Sequence, residues 1–341
     1  MGAVQLRAST GTSRSARVVS MCVYVAALAC WVAVLGLPKQ TLAGFLWIWL
    51  ATIAWNIRAP WRSHLAFPLD WWPALAVLTL YVYSRGLADQ LGFVSVHVSE
   101  PIRADRWLFG GTLPTEYLQA ELCGIPCERT MPPNWYDVAL TTVYYSFFFV
   151  PILTASLLWM RNRSTWVAFM RRYLSLNLVA LVFYVTYPMA PPWMAAEAGF
   201  LPSDIDRITS RGWYDLGEVG VHDTLSALTN QVAAMPSLHA GITLLVALFG
   251  IERSRRWWRW LLLLYPLAMG FALVYYAEHY VVDVLAGFAV AGLVVWACAA
   301  WERWRRPAVT LPVGTGGIRR ATSPSVTLRE STPPPPLPHD D

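Results

Sequence analysis

The run Glu278-His279-Tyr280-Val281-Val282-Asp283 places a histidine four residues before an aspartate, and this pairing has the clearest chemical meaning in the chain. At helical spacing the two side chains share one face. The carboxylate then holds one imidazole nitrogen protonated and turns the other outward as a nucleophile. A second run, Met235-Pro236-Ser237-Leu238-His239-Ala240-Gly241, opens an apolar stretch. Proline suits a first helical turn and serine suits a helix N-terminus, so a helix is expected to start here. The free N–H groups and positive dipole at such a start form a ready phosphate site. His239, in the first turn, is placed to give a proton to a leaving oxygen. Singly, each run has a plain structural explanation: a histidine decorating a helix end, an aspartate capping one. Together they read as one site for phosphate-group transfer. Asp283 adds weight, because an ionisable group in an apolar run is costly unless it is used.

Those residues have to be carried by membrane helices. Of 341 residues, 56% are hydrophobic and only 14% charged, against roughly 25% charged in a soluble globular domain. Mean hydropathy is +0.41. Counting runs of about 20 apolar residues gives eight expected spans, near 18–37, 41–57, 69–87, 137–160, 172–188, 236–251, 260–278 and 280–300. The expected fold is therefore an all-α, polytopic membrane helix bundle with about eight transmembrane helices. The first run follows Arg7, Arg14 and Arg17 but lacks a convincing cleavage site, so it reads as an uncleaved helix. Many of the 19 tryptophans sit at the ends of apolar runs, among them Trp71, Trp72, Trp135, Trp193, Trp257, Trp258, Trp260, Trp301 and Trp304. That is where interfacial belts place them.

Arginines orient the bundle. The N-terminal arm, the loops bearing Arg58 and Arg62, Arg161 to Arg172, and Arg253 to Arg259, and the tail with Arg303, Arg305 and Arg306 all fall on one side. By the positive-inside rule that side is cytoplasmic. The long loops 88–136 and 189–235 then lie outside, and so do both candidate runs. A net charge of +5 does not point to nucleic acid, because the arginines sit in short loops rather than along one basic stripe.

Four regions are expected. Residues 1–17 form a cytoplasmic arm. Residues 18–160 form an N-terminal transmembrane region with the extracytoplasmic loop 88–136. Residues 161–304 form the catalytic transmembrane region, and 305–341 a disordered, Pro-rich cytoplasmic tail. The tail holds Pro333 to Pro336 and cannot bury a core. Cys22, Cys30 and Cys298 lie in apolar runs and read as small buried hydrophobes. Cys123 and Cys127 flank Gly124-Ile125-Pro126 in an outer loop and form a candidate disulfide. No further Cys or His cluster beside them suggests zinc.

The two catalytic runs resemble the second and third motifs of the type-2 phosphatidic acid phosphatase superfamily, written PSGH and SRxxxxxHxxxD. The form His279-Tyr280-Val281-Val282-Asp283 is most similar to the branch with inositol phosphorylceramide synthases and sphingomyelin synthases. Pro188-Met189-Ala190-Pro191-Pro192-Trp193 likewise resembles a Pro-rich segment of inositolphosphotransferase-like members. The resemblance covers roughly 170–300 and implies a six-helix phosphatase-type core toward the C-terminal half.

The resemblance also implies roles. His279 would attack phosphorus to form a phosphohistidine, and Asp283 would orient it. His239 would protonate the leaving alcohol and then activate water or an acceptor hydroxyl. Ser237 and nearby N–H groups would bind phosphate oxygens, with no metal and no cofactor. Two departures stand out. Leu273 occupies the position of the family arginine six residues before the nucleophile, and the first motif, KxxxxxxRP, has no clean match. Arg207 and Arg211 in the second outer loop are candidate replacements for phosphate binding, with solvated loop charges as the plain alternative; Arg103 and Arg106 in the other long loop are weaker candidates. The expected substrate is a phosphorylated membrane lipid. Water as acceptor gives a phosphatase, and a hydroxyl acceptor gives a transferase. A non-catalytic lipid-binding or transport homologue is the alternative, and the presence of His239, His279 and Asp283 argues against it.

Overall fold

A computed structural model describes residues 14–36, 41–91, 95–124, 127, 132–202, 204–216 and 234–305. The expected cytoplasmic arm up to residue 13 and the Pro-rich tail from 306 lie outside the described residues. In chain order the α-helices are α1 (Arg14–Leu35), α2 (Thr41–Trp55), α3 (Trp61–Leu91), α4 (Ser99–Leu108), α5 (Pro114–Leu122), α6 (Trp135–Ser146), α7 (Val150–Arg161), α8 (Arg163–Thr186), α9 (Pro192–Glu197), α10 (Leu238–Arg253), α11 (Leu264–Tyr275) and α12 (Val281–Trp304). Short 3₁₀ segments cover Arg211–Leu216 and Trp257–Leu263. Among the described residues the only bridge of strand type is the isolated parallel pair His97 and Met189. The fold is all-α, as the composition requires.

Among the described residues, α1, α8, the segment Trp257–Tyr275 and α12 are each long and apolar enough to cross a bilayer, and α6 with α7, bent by 50° between them, adds a fifth span if the pair crosses as one. Pro151 in the first turn of α7 accounts for that break. It has no N–H to give, and its ring would clash with the carbonyl four residues back. The chain is a multi-pass membrane protein. Large apolar side chains such as Val34, Leu293 and Trp296 face outward from these helices, as hydrocarbon surroundings allow. Helices α2 and α10, with 15 and 16 residues, are shorter than the roughly 20 of a full span.

One apolar core joins the bundle at its centre, with Phe67 and Trp71 of α3, Ala155 of α7, Phe169 and Leu176 of α8, Ile242 of α10 and Val294 of α12. Trp71 is thus a core residue, stacked on Phe67 at 4.9 Å, and not part of an interfacial belt. Trp193 is buried as well, whereas Trp72, Trp135, Trp257 and Trp304 are exposed as expected. Cys298 is buried, but Cys22 and Cys30 lie on the exposed surface of α1. A lipid-facing helix has no need to bury a small apolar side chain.

The described residues of the two long loops carry short helices that their polarity does not suggest. These are α4, which packs on α12, α5, which packs on α11, the first 3₁₀ segment, which packs on α6, and α9, whose Trp193 N–H donates to the Ala277 carbonyl. A second apolar cluster combines α6, α11 and Ile208, and a third gathers Ile102, Leu113, Trp193, Ile205, Ala277 and Tyr280. The histidines sit between those two clusters.

Candidate active site

The site is built where α10 and α12 begin. Ser237 caps α10, its side chain accepting from Ala240 N–H. Tyr184 on α8 donates its hydroxyl to the Pro236 carbonyl at 2.7 Å, which fixes the approach to that cap. The Ser237 N–H donates to the Asp283 carbonyl at 3.0 Å, so the two helix starts are joined by backbone. This close approach needs Gly287. A Cβ at that position would stand 2.3 Å from the Ser237 carbonyl oxygen.

Helix α12 starts at Val281, so His279 lies in the turn before it and not on its face. The expected same-face geometry is replaced by another that serves the same end. Asp283 is in the first turn and folds back: its Oδ2 accepts Tyr280 N–H at 2.9 Å and lies 3.5 Å from His279 Nδ1. The latter contact is longer than a normal hydrogen bond. The turn itself runs through Ala277 at φ 59, and the Leu273 carbonyl accepts both Glu278 N–H and His279 N–H. A non-glycine residue in the left-handed region costs about 1–2 kcal/mol, and the turn it closes is what delivers His279 to the site.

His239, in the first turn of α10, has its ring 6.0 Å from that of His279. It is stacked against Tyr144 at 5.2 Å and tilted on Phe147 at 4.1 Å. Its Nε2 and His279 Nδ1 are both buried. The structure thus brings His239, His279, Asp283 and Ser237 together.

Arg207 joins them through Glu278. Its Nε donates to Glu278 Oε1 at 2.6 Å, and Tyr144, which stacks on His239, holds its hydroxyl 3.5 Å from the same oxygen. The guanidinium also lies over the Trp193 ring at 5.2 Å. Burial works against the charge on Arg207, and Glu278 and Tyr144 more than offset it, holding the group above its ordinary value. Leu273, at the position of the family arginine, is wholly buried in apolar surroundings. The positive charge near the histidines therefore comes from another segment.

Arg211 is engaged elsewhere. Its Nε donates to Asp137 Oδ2 at 3.1 Å, and Tyr275 donates to the other oxygen of that carboxylate at 2.9 Å. Arg103 is exposed and 4.0 Å from Glu100. Cys123 and Cys127 are joined in a disulfide at the end of α5.

Sequence reasoning did not single out Asp105, Gln119 or Tyr144. Asp105 accepts Val281 N–H and Val282 N–H at 2.9 and 3.0 Å, from α4 onto the start of α12. Burial pushes its carboxyl above the usual range, and those two donors work against that. Nothing local in the sequence marks these three residues, because their partners lie far along the chain. Glu278 was legible by position, beside His279, but its partner was not.

Comparison with known proteins identifies the family. The family model described as PAP2 superfamily matches residues 127–297. A phosphoinositol dihydroceramide synthase from Bacteroides thetaiotaomicron is 31% identical over 182 residues, which cover 50% of this chain and 58% of the relative. The match therefore spans little more than half the length of that relative. No solved structure matches.

Proposed function

The chain belongs to the PAP2 superfamily, and on that premise we propose that it is a membrane lipid phosphotransferase working through a phosphohistidine on His279 at the extracytoplasmic face. The observation that carries this reading is the pair of imidazoles 6.0 Å apart with a buried carboxylate behind one of them. Asp283 stabilises the proton on His279 Nδ1, which leaves Nε2 to attack phosphorus. As the P–N bond forms, the P–O bond to the leaving alcohol breaks and His239 supplies the proton that alcohol needs. In the second half an acceptor hydroxyl attacks the same phosphorus. His239 takes the hydroxyl proton back, and the P–N bond breaks to free His279.

Ser237 and the N–H groups that open α10 bind the phosphoryl oxygens, and Arg207 supplies positive charge beside them. Arg211 lies with Asp137 and acts on the site through the loop it anchors. A hydroxyl acceptor is favoured over water because of the relative named above, whose name gives phosphoinositol and dihydroceramide as the chemistry to test first.

The test is an assay of purified full-length protein with a phosphoinositol lipid labelled in its headgroup, with and without a ceramide-type acceptor and with EDTA in a parallel sample. Label moving to the acceptor, insensitive to EDTA and absent in His279→Ala, is the expected result. Release of free label alone, in equal amount with and without acceptor, would overturn the transferase assignment.

A further inference from the structure

The family match begins at residue 127, yet two buried polar side chains from earlier in the chain bond to backbone that flanks the site residues. Asp105 of α4 has no exposed surface and Gln119 of α5 is 2% exposed. The first four N–H groups of a helix have no partner within the helix. Asp105 takes two of those at the start of α12, one with each carboxylate oxygen. The Asp283 carboxylate takes the N–H of Tyr280, just ahead. The turn bearing His279 is therefore held between a carboxylate of its own helix and one from α4.

Gln119 does the equivalent for the other half of the site. Its Nε2 donates to the Asp206 carbonyl at 2.7 Å and to the Tyr275 carbonyl at 3.0 Å, while its Oε1 accepts Asp206 N–H at 3.1 Å. Asp206 immediately precedes Arg207, and Tyr275 ends α11. One amide thus ties the backbone next to the phosphate-side arginine to the helix that leads into the His279 turn. Both residues are buried, so water does not substitute for these bonds, and an unmade one costs more than a made one gains.

We infer that Asp105 and Gln119 are positioning residues for the reaction, with Asp105 fixing the His279–Asp283 turn and Gln119 fixing Arg207. The α4–α5 segment is then an integral part of the active site and not a covering loop. This rests on the phosphohistidine reading for its kinetic meaning. The two residues act on different steps. Misplacing a nucleophile by a fraction of an ångström to an ångström lowers turnover by up to about 100-fold. Misplacing a cation that binds phosphate equally before and during reaction raises KM.

The experiment compares full-length Asp105→Asn, Gln119→Met and His279→Ala for kcat, KM and thermal unfolding. Asp105→Asn keeps side-chain shape, and Gln119→Met keeps side-chain length. Asp105→Asn is expected to lower kcat about 10- to 100-fold with KM little changed. Gln119→Met is expected to raise KM about tenfold with kcat nearly kept. Wild-type kcat and KM in both variants would overturn the inference, and so would losses that only track the fraction of folded protein. If one variant does not fold, the kcat and KM of the other decide the matter; failure of both makes the residues purely structural and also overturns it. Activity in His279→Ala would sink the phosphohistidine reading instead, whatever the clamp variants show.

Discussion

One oxygen of Asp283 bonds the backbone of the His279 turn and faces the imidazole. This oxygen, Oδ2, accepts the Tyr280 N–H and faces His279 Nδ1, so the group proposed to orient the imidazole also caps the helix on which it lies. An asparagine keeps the shape and loses the charge that stabilises an imidazolium. Asp283→Asn is expected to fold and to retain activity between that of His279→Ala and that of His239→Ala. His239→Ala should lose the general-acid contribution, roughly 10²–10⁴-fold in turnover. Initial rates with a saturating lipid substrate measure both, and Asp283→Asn at full wild-type rate would contradict the orienting role. The histidines, Asp283 and Ser237 were legible in the sequence because each lies in a short run with its own pattern. The pairing of Arg207 with Glu278 was not, since 71 residues separate the two.

At the scale of elements, the site depends on two helix starts lying in backbone contact. Gly287 on α12 faces the Ser237 carbonyl, and Gly241 on α10 faces the Gly287 carbonyl. A methyl group at Gly287 would meet backbone, which cannot rotate away as a side chain can. Overpacking of this kind costs typically ~1–3 kcal/mol. Gly287→Ala is expected to lower the unfolding temperature and to cut activity further than the loss of folded protein explains, because it pushes Ser237 away from Asp283. Thermal unfolding read beside specific activity separates the two effects; wild-type values of both would refute the close-packing account. Helix types and approximate spans were readable from hydropathy, as α1, α8 and α12 show. The small helices α4, α5 and α9 were not, since their short polar sequences carry no period long enough to stand out. Nor was the true start of α12 at Val281, which moved His279 off the helix and into a turn.

Across the whole molecule, the two ends of the bundle carry opposite chemistry. One end holds Arg171 and Arg172 against Glu302, Arg163 against Asp70, and the arginines after α10. The other holds the histidines beneath α4, α5 and α9. Positive residues mark the cytoplasmic ends of membrane helices, and on that rule the proposed orientation has the site open to the outer face and both termini inside. The orientation predicts that an impermeant thiol reagent labels Ser99→Cys in intact cells and reaches Ser323→Cys only after lysis, in a background where Cys22 and Cys30 are replaced. The reverse pattern would invert the protein and place the site on the cytoplasmic side.

The most direct measurement of the central claim is the chemistry of a trapped intermediate. Brief reaction of the purified protein with a phosphate-labelled lipid substrate, followed by quenching in alkali and peptide mapping, should place an acid-labile, alkali-stable phosphate on His279. His279→Ala should carry none, and His239→Ala should still accumulate it when the leaving group is a good one. Label on another residue, or full turnover in His279→Ala with no covalent phosphate at any time, would contradict the account.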